Sequence, residues 1–360
     1  MGGAAYWANT IAIQSGCSLT VTNNETSDAY SNLYDYDYGS ITVTSSGNTM
    51  HHMCHMIETG NGSNTSYGAT FSSTNDEVYD WSNWGATGSS GCHTDGFILY
   101  QLPGGVVTQF LINGLYAHGD LNVNNSGAAT GYIWCNNTAV STPTVGSGCT
   151  IVNSIFDASA VTTSSSFSEI WYNLANTFIY NNTFLGNGAN NSTGAMTALT
   201  AIVLATDTPA AKVENNIFKN FYIDYTNQGY ATTWHIPQQF VTIDYNDLYT
   251  TVSKVATDQT TNYTTFASWQ AATGSPDAHS ITTNPLVDPS TYRLGAGSPA
   301  IGTGTNLTAA CSTIPAVCTD KGNNPRSATN PWSMGAYGNV TTANNGLSGN
   351  IVLSGTVTVK

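Results

Sequence analysis

FIYNNTFLGNG, residues 178–188, joins two short apolar runs through a pair of asparagines. The figure returns as KVENNIFKNF at 212–221, CTIVNSIFDAS at 149–159, FLINGLYAHG at 110–119 and VTIDYNDLYT at 241–250. Each copy holds an aliphatic residue, a variable one, a polar pair and an apolar residue near its end. Aligned, the copies place Asn113, Asn153, Asn181, Asn215 and Tyr245 at one position. Their intervals all fall within the roughly 20–50 residues of a solenoid unit, whose turns cannot bury their apolar faces alone and so stack on their neighbours. The longest interval, from Asn113 to Asn153, contains the stretch between Cys135 and Cys149, which reads as a loop added to an ordinary coil.

The repeating unit is built of strands. Thr, Ser, Asn and Gly replace the missing charge, β-branched residues abound, and no window carries an apolar face at i, i+3, i+4 and i+7. The expected fold class is all-β, a parallel β-helix whose interior is filled by Ile151, Ile155, Ile179, Phe184, Val213 and Ile217. Asparagines stacked at its turns bond the backbone of neighbouring coils, as amide ladders do in other stacked-strand structures.

The Asn-Asn-Ile-Phe turns resemble those of the right-handed parallel β-helix superfamily that holds pectate-lyase-like and polygalacturonase-like proteins. The runs NPLVDPSTYRLGAGSPAIGTGTNLT (284–308) and DKGNNPRSATNPWSMGAYG (320–338) resemble the terminal coils of secreted bacterial β-helix proteins. The resemblance implies a right-handed parallel β-helix (solenoid) over residues 91–338. N-terminal coils and a looped cap precede it over 1–90, and a closing strand pair or a further module follows over 339–360. It implies carbohydrate chemistry only loosely, because lyases, hydrolases, epimerases, tailspikes and adhesins share the architecture.

The formal net charge is -14, from 21 acidic and seven basic residues, and Lys212 is the first of the basic ones. Nucleic acid is excluded as a partner, because its binding rests on Lys and Arg displacing counterions. An anionic membrane surface is disfavoured for the same reason, and no apolar run reaches the length of a membrane span. The expected partner is a polysaccharide. No cofactor is required, although an anionic glycan would need a cation such as Ca²⁺, which the acidic surplus could hold. Of the seven cysteines, Cys135 with Cys149 and Cys311 with Cys318 flank loop-like stretches and are expected to pair, with Cys54 and Cys92 as a third candidate. Disulfides place the chain in an oxidising setting, secreted or at the cell surface.

HTDGF at 93–97 and AHGD at 117–120 carry His93, Asp95, His118 and Asp120, two His-x-Asp pairs related by one common step along the chain. If that step is one coil, Asp95 lies beside Asp120 at a rung spacing of about 4.8 Å. Two carboxylates so close share a proton, which is what general acid catalysis requires. The same cluster could hold a metal, or be a pair of stacked Asp turns. HTDGF resembles the Asn-Thr-Asp-Gly motif of polygalacturonase-like hydrolases, with Asp95 at the catalytic-acid position and His93 in place of the Asn. That family's basic substrate clamp has no counterpart here. Upstream, NDEVYDWSNW offers Tyr79, Asp80, Trp81 and Trp84 for stacking on sugar rings, or for covering one end of the core. In MHHMCHM, His52 and Cys54 share a strand face and could bind a metal, or belong to a His-rich coil with no ligand. The expected function is polysaccharide cleavage by a glycoside hydrolase through paired carboxylates in a surface groove. The alternatives are a polysaccharide lyase with a His or Tyr base, and a non-catalytic glycan-binding or fibre protein.

Overall fold

Each short strand alternates one side chain inward and one outward, so a strand with one apolar face must find two parallel neighbours to satisfy its backbone and a packed interior to receive that face. The computed structural model describes residues 9–13, 17–29, 31–37, 41–61, 68–81, 94–101, 106–120, 129–137, 148–161, 168–172, 176–188, 200–204, 211–227, 237, 240–257 and 260–338. Within them the strands form one ten-stranded and two eight-stranded sheets, and each strand pairs with the third strand before it and the third after it. The pairings from rung to rung are parallel; only Lys254–Thr257 with Asn262–Tyr263 is antiparallel. Three successive strands therefore make one rung. The chain is all-β with long parallel sheets of stacked strands, an arrangement compatible with a parallel β-helix.

The regular rungs begin in the N-terminal region, where Asn9–Ile13 pairs with Ser31–Asp37 and that strand with His55–Asn61. At the other end, the helix Phe266–Gln270 sets Trp269, fully buried, against Tyr225 and Tyr263, and closes the core. Residues 278–338 then run back along the outside. Thr305 exchanges hydrogen bonds with Asn215, the Ala316 carbonyl accepts from Asn153, and Lys321 donates to the carbonyl of Gly114. Thus, of the terminal run, Ile281 alone adds a parallel bridge, to Asp247, while most of the segment covers the rungs instead of extending them. Residues 339–360, where a strand pair or further module was expected, lie outside the described residues.

Inside, like side chains stack in columns. Phe156, Phe184 and Phe218 lie with ring centroids 4.9 and 4.8 Å apart and planes within 9°, the spacing of the rungs themselves. Ile151, Ile179 and Val213 fill the matching column of the second sheet and are fully buried. Ile155 and Ile217, expected inside, stand one residue out of phase with Phe156 and Phe218 and face outward. They are buried all the same: Ile217 packs with Val287, Ala300 and Met334 of the covering segment. An apolar residue on the outer face thus marks where the chain returns to cover it.

The turn from the second to the third sheet is left-handed at every rung. Asn153, Asn181, Asn215 and Tyr245 hold φ of 54–62°, and Gly47 and Gly114 hold 64° and 70°. Asn and Gly tolerate this region best. Asn113 is not in the column; it pairs with Val152, and Gly114 takes the left-handed place. The next residue of each turn builds a buried ladder. Asn182 accepts from the backbone of Ser154 at 2.8 Å, Asn216 from Asn182 at 2.9 Å, and Asn246 from Asn216 at 3.0 Å, while each amide nitrogen donates to a carbonyl of an adjoining rung. Asn216→Ala leaves the buried backbone N–H of Asn182 unpaired, and is expected to cost about 2 kcal/mol in urea unfolding.

Cys135 is bonded to Cys149 and Cys311 to Cys318, and Cys54 is also disulfide-bonded. The first two bonds alone take four of the seven cysteines, so thiol titration of the denatured, unreduced chain should find no more than three thiols.

Candidate functional site

The step that relates the two His-x-Asp pairs is not a rung. Asp95 opens the strand Thr94–Gln101 of the ten-stranded sheet, and its neighbours above and below are His55 and Gly131. Asp120 follows Tyr116–His118, the third strand of the same rung. The stacked pair Asp95–Asp120 expected from the spacing is therefore not formed. The motif has a packing role instead: a Cβ on Gly96 would collide with the carbonyl oxygen of Tyr132, so Gly is required where two rungs approach. Asp120 belongs to a turn, its N–H donating to the Asp80 carboxylate at 3.0 Å and its carbonyl accepting from Trp81 at 2.8 Å. His93 and Trp84 lie outside the described residues.

Two further expectations are corrected by burial and bonding. Trp81 is fully buried against Tyr132, ring centroids 4.9 Å apart, and cannot stack on a sugar. Cys54 is fully buried and disulfide-bonded, so it offers no thiolate to a metal beside His52. His52 instead meets His51, Nδ1 to Nδ1 at 2.7 Å. Among the described residues no group of three His, Cys, Asp or Glu side chains is placed to hold a metal.

What the rungs do assemble is a cluster on the outer face of the third sheet. Parallel register puts His51, Tyr79, His118 and Asp157 in one column, and Glu77 beside Tyr116 in the next. The rings stack: His51 on Tyr79 at 4.7 Å, Tyr79 on His118 at 5.0 Å, and Tyr116 on His118 at 4.1 Å. Glu77 Oε1 meets His118 Nε2 at 2.9 Å. On the other side, the Tyr116 and Tyr292 hydroxyls are 2.7 Å apart, and Tyr292 donates to Asp157 Oδ2 at 2.7 Å. Two carboxyl groups thus flank the rung of Tyr116 and His118, Glu77 bonded to it directly and Asp157 linked to it through Tyr292.

Tyr292 comes from the covering segment, far from Asp157 in sequence, and holds a left-handed φ of 58°. That conformation costs a side-chain-bearing residue about 1 kcal/mol. Burial, with Asp157 and Glu77 nearby, raises the Tyr116 hydroxyl above the usual tyrosine range, and burial with the Tyr116 and Asp157 bonds raises Tyr292 further. Both phenols keep their protons, so Tyr292 has one to donate to Asp157. Beneath Glu77, Lys321 is pushed down to about 8 by burial, against the pull of Glu77 and Asp76. From Asp157 a groove of about 410 Å³ continues along the rungs, lined by Leu185, Lys219, Asn220, Thr250 and Val287. Tyr79 and His118 were legible as candidates in the sequence; Glu77 lay in the acidic aromatic run, and Tyr116, Asp157 and Tyr292 carried no motif.

No protein-family model matches the chain, nor does any curated protein or solved structure. Function rests on the chemistry of this site.

Proposed function

We propose that the protein is a right-handed parallel β-helix, exported from the cytoplasm, that hydrolyses an uncharged polysaccharide lying across the outer face of its third sheet. Handedness follows from the general rule that about 98% of parallel crossover connections are right-handed. The two disulfides support export.

The observation that carries the reading is the placement of Glu77 and Asp157 on either side of the Tyr116–His118 rung, with Asp157 at the end of a groove. Their backbones are two rungs and two residues apart, about 12 Å on the diagonal, and Glu77 reaches toward the rung between, to His118. So wide a placement leaves room for a water between the carboxyl groups, as in inverting hydrolases at about 6.5–9.5 Å, and speaks against the retaining arrangement at about 5 Å. Asp157, oriented by the Tyr292 hydroxyl, activates the water. The proton shared by Glu77 and His118 goes to the leaving oxygen. Tyr79, with His51 on one face and His118 on the other, offers a sugar its ring edge and hydroxyl, and the acidic surroundings repel a uronate chain and favour a neutral one.

Incubation with a panel of neutral and uronic polysaccharides tests this. New reducing ends from a neutral glycan, with inverted anomeric configuration in the first product, are expected. An unsaturated uronate product, read by its ultraviolet absorbance, would assign elimination to the site instead. Retention of a glycan without cleavage would make the face a binding surface.

A further inference from the structure

A different surface occupies the outer face of the second sheet. In three consecutive strands of that sheet, Ser18–Thr22, Ile41–Ser46 and Gly68–Thr74, the inward residues Val43 and Phe71 are core, and the outward positions that register aligns across all three are Ser or Thr. Register stacks Thr20, Thr44 and Ser72 in a middle column, with Ser18, Thr42 and Thr70 on one side of it. The column on the other side is Ser and Thr as well, and neither pairing contains a register shift. Nine outward positions thus carry nine hydroxyls and no ionisable group, in a chain of net charge -14.

The chemistry of these columns changes where cover begins. On the fourth rung Leu111 follows Ser72, and Leu111, Val152 and Tyr180 pack beneath Ile314, Val317 and Trp332 of the covering segment. The Ser/Thr field ends at that border. Its first rung is exposed, and the residues of the next two are exposed or half-buried.

A field fixed at about 4.8 Å between rungs and about 6.7 Å between alternate residues along a strand repeats in two dimensions. Six of the nine are Thr, stiff at χ1, so their hydroxyls and methyls stand in set places with little ordering cost on binding. Each hydroxyl both donates and accepts. A soluble glycan would want aromatic faces, and an ionic partner would want charge; the field has neither. An uncharged partner that repeats on a comparable scale and hydrogen-bonds at every point is water ordered at the surface of ice. We propose that this Ser/Thr field is an ice-binding face, with hydroxyl rows taking places in the water lattice and the methyls resting in its hollows.

The test measures thermal hysteresis and ice recrystallisation in solutions of the full chain. Growth arrest that rises with protein concentration is expected. Thr44→Lys puts a long, hydrated cation in the centre of the field and should reduce the effect to that of a non-binding protein, while Thr283→Lys, exposed on the covering segment, should leave it unchanged. Circular dichroism and melting of both variants confirm that the fold is kept. A folded wild-type protein with no hysteresis and no effect on recrystallisation overturns the proposal. So does an effect that Thr44→Lys leaves intact. Self-association lost in Thr44→Lys, without any effect on ice, would assign the face to a second copy of the chain and equally overturn it.

Discussion

Replacing Asp247 by Asn is expected to stabilise the protein by an amount that grows with pH, from little at about pH 4 to on the order of 5 kcal/mol at about pH 9. Asp247 is fully buried in the third sheet, stacked on Ile217 and bridged to Ile281, and neither carboxyl oxygen has a hydrogen-bond partner. Burial pushes it up to about 8. Below the ordinary carboxylate range both folded and unfolded chains hold the proton, and the residue costs nothing electrostatically. Between that range and about 8 the unfolded chain releases a proton that the folded chain keeps, so stability falls steadily as pH rises; above about 8 the loss is complete. Asn cannot ionise, so the variant escapes the loss. Urea unfolding of both proteins across that window checks the slope. Parallel curves, with no pH-dependent gap, would show that the carboxyl finds a partner or water in solution.

The same residue shows why some of the molecule was legible in sequence and some was not. The figure around Asn153, Asn181 and Asn215 announces the rungs because a left-handed turn accepts few residue types, and the ladder position after it fewer still. The phase of the figure is less secure. In FLINGLY either Asn113 or Gly114 could fill the turn, and only the pairing of Asn113 with Val152 decides for Gly114. Ile155 and Ile217 look like core by composition, and they are buried, but Ile217 is covered by a segment that returns from the far end of the chain. Apolar pattern reports burial; it does not say from which side.

The site was less legible for a related reason. An equal step from His93 to His118 and from Asp95 to Asp120 invites a stacked pair, yet real rungs vary in length with their loops, and Asp95 and Asp120 turn out to belong to two sheets of one rung. The stacking that matters joins Tyr79, His118 and Asp157, across a longer step than the motif suggested. Tyr292 could not be found by period at all, since it reaches Asp157 from the returning segment. Its left-handed φ is the one local sign that the residue is held in place by something other than its own strand.

Glu77→Gln and Asp157→Asn are each expected to lower cleavage of a responsive glycan by about 10²- to 10⁴-fold, the usual scale of acid–base catalysis. The first removes the carboxyl that meets His118 Nε2 at 2.9 Å; the second removes the carboxyl that Tyr292 orients. Neither change opens an apolar cavity, so melting temperatures should move little. Tyr292→Phe separates positioning from chemistry. It breaks the hydroxyl bonds to Tyr116 and Asp157 but leaves both carboxyl groups in place, so it should cost less than either, and the loss should fall on kcat more than on KM, because Asp157 then loses the donor that orients it. Asp120→Asn should leave cleavage little changed, because the bonds that tie Asp120 to Asp80 and Trp81 are made by its backbone, which the change keeps. The two assignments differ in outcome. If Asp120→Asn abolished activity while Glu77→Gln and Asp157→Asn retained it, the catalytic groups would lie at the corner between the third and first sheets, and the ring stack on the outer face would be a binding platform.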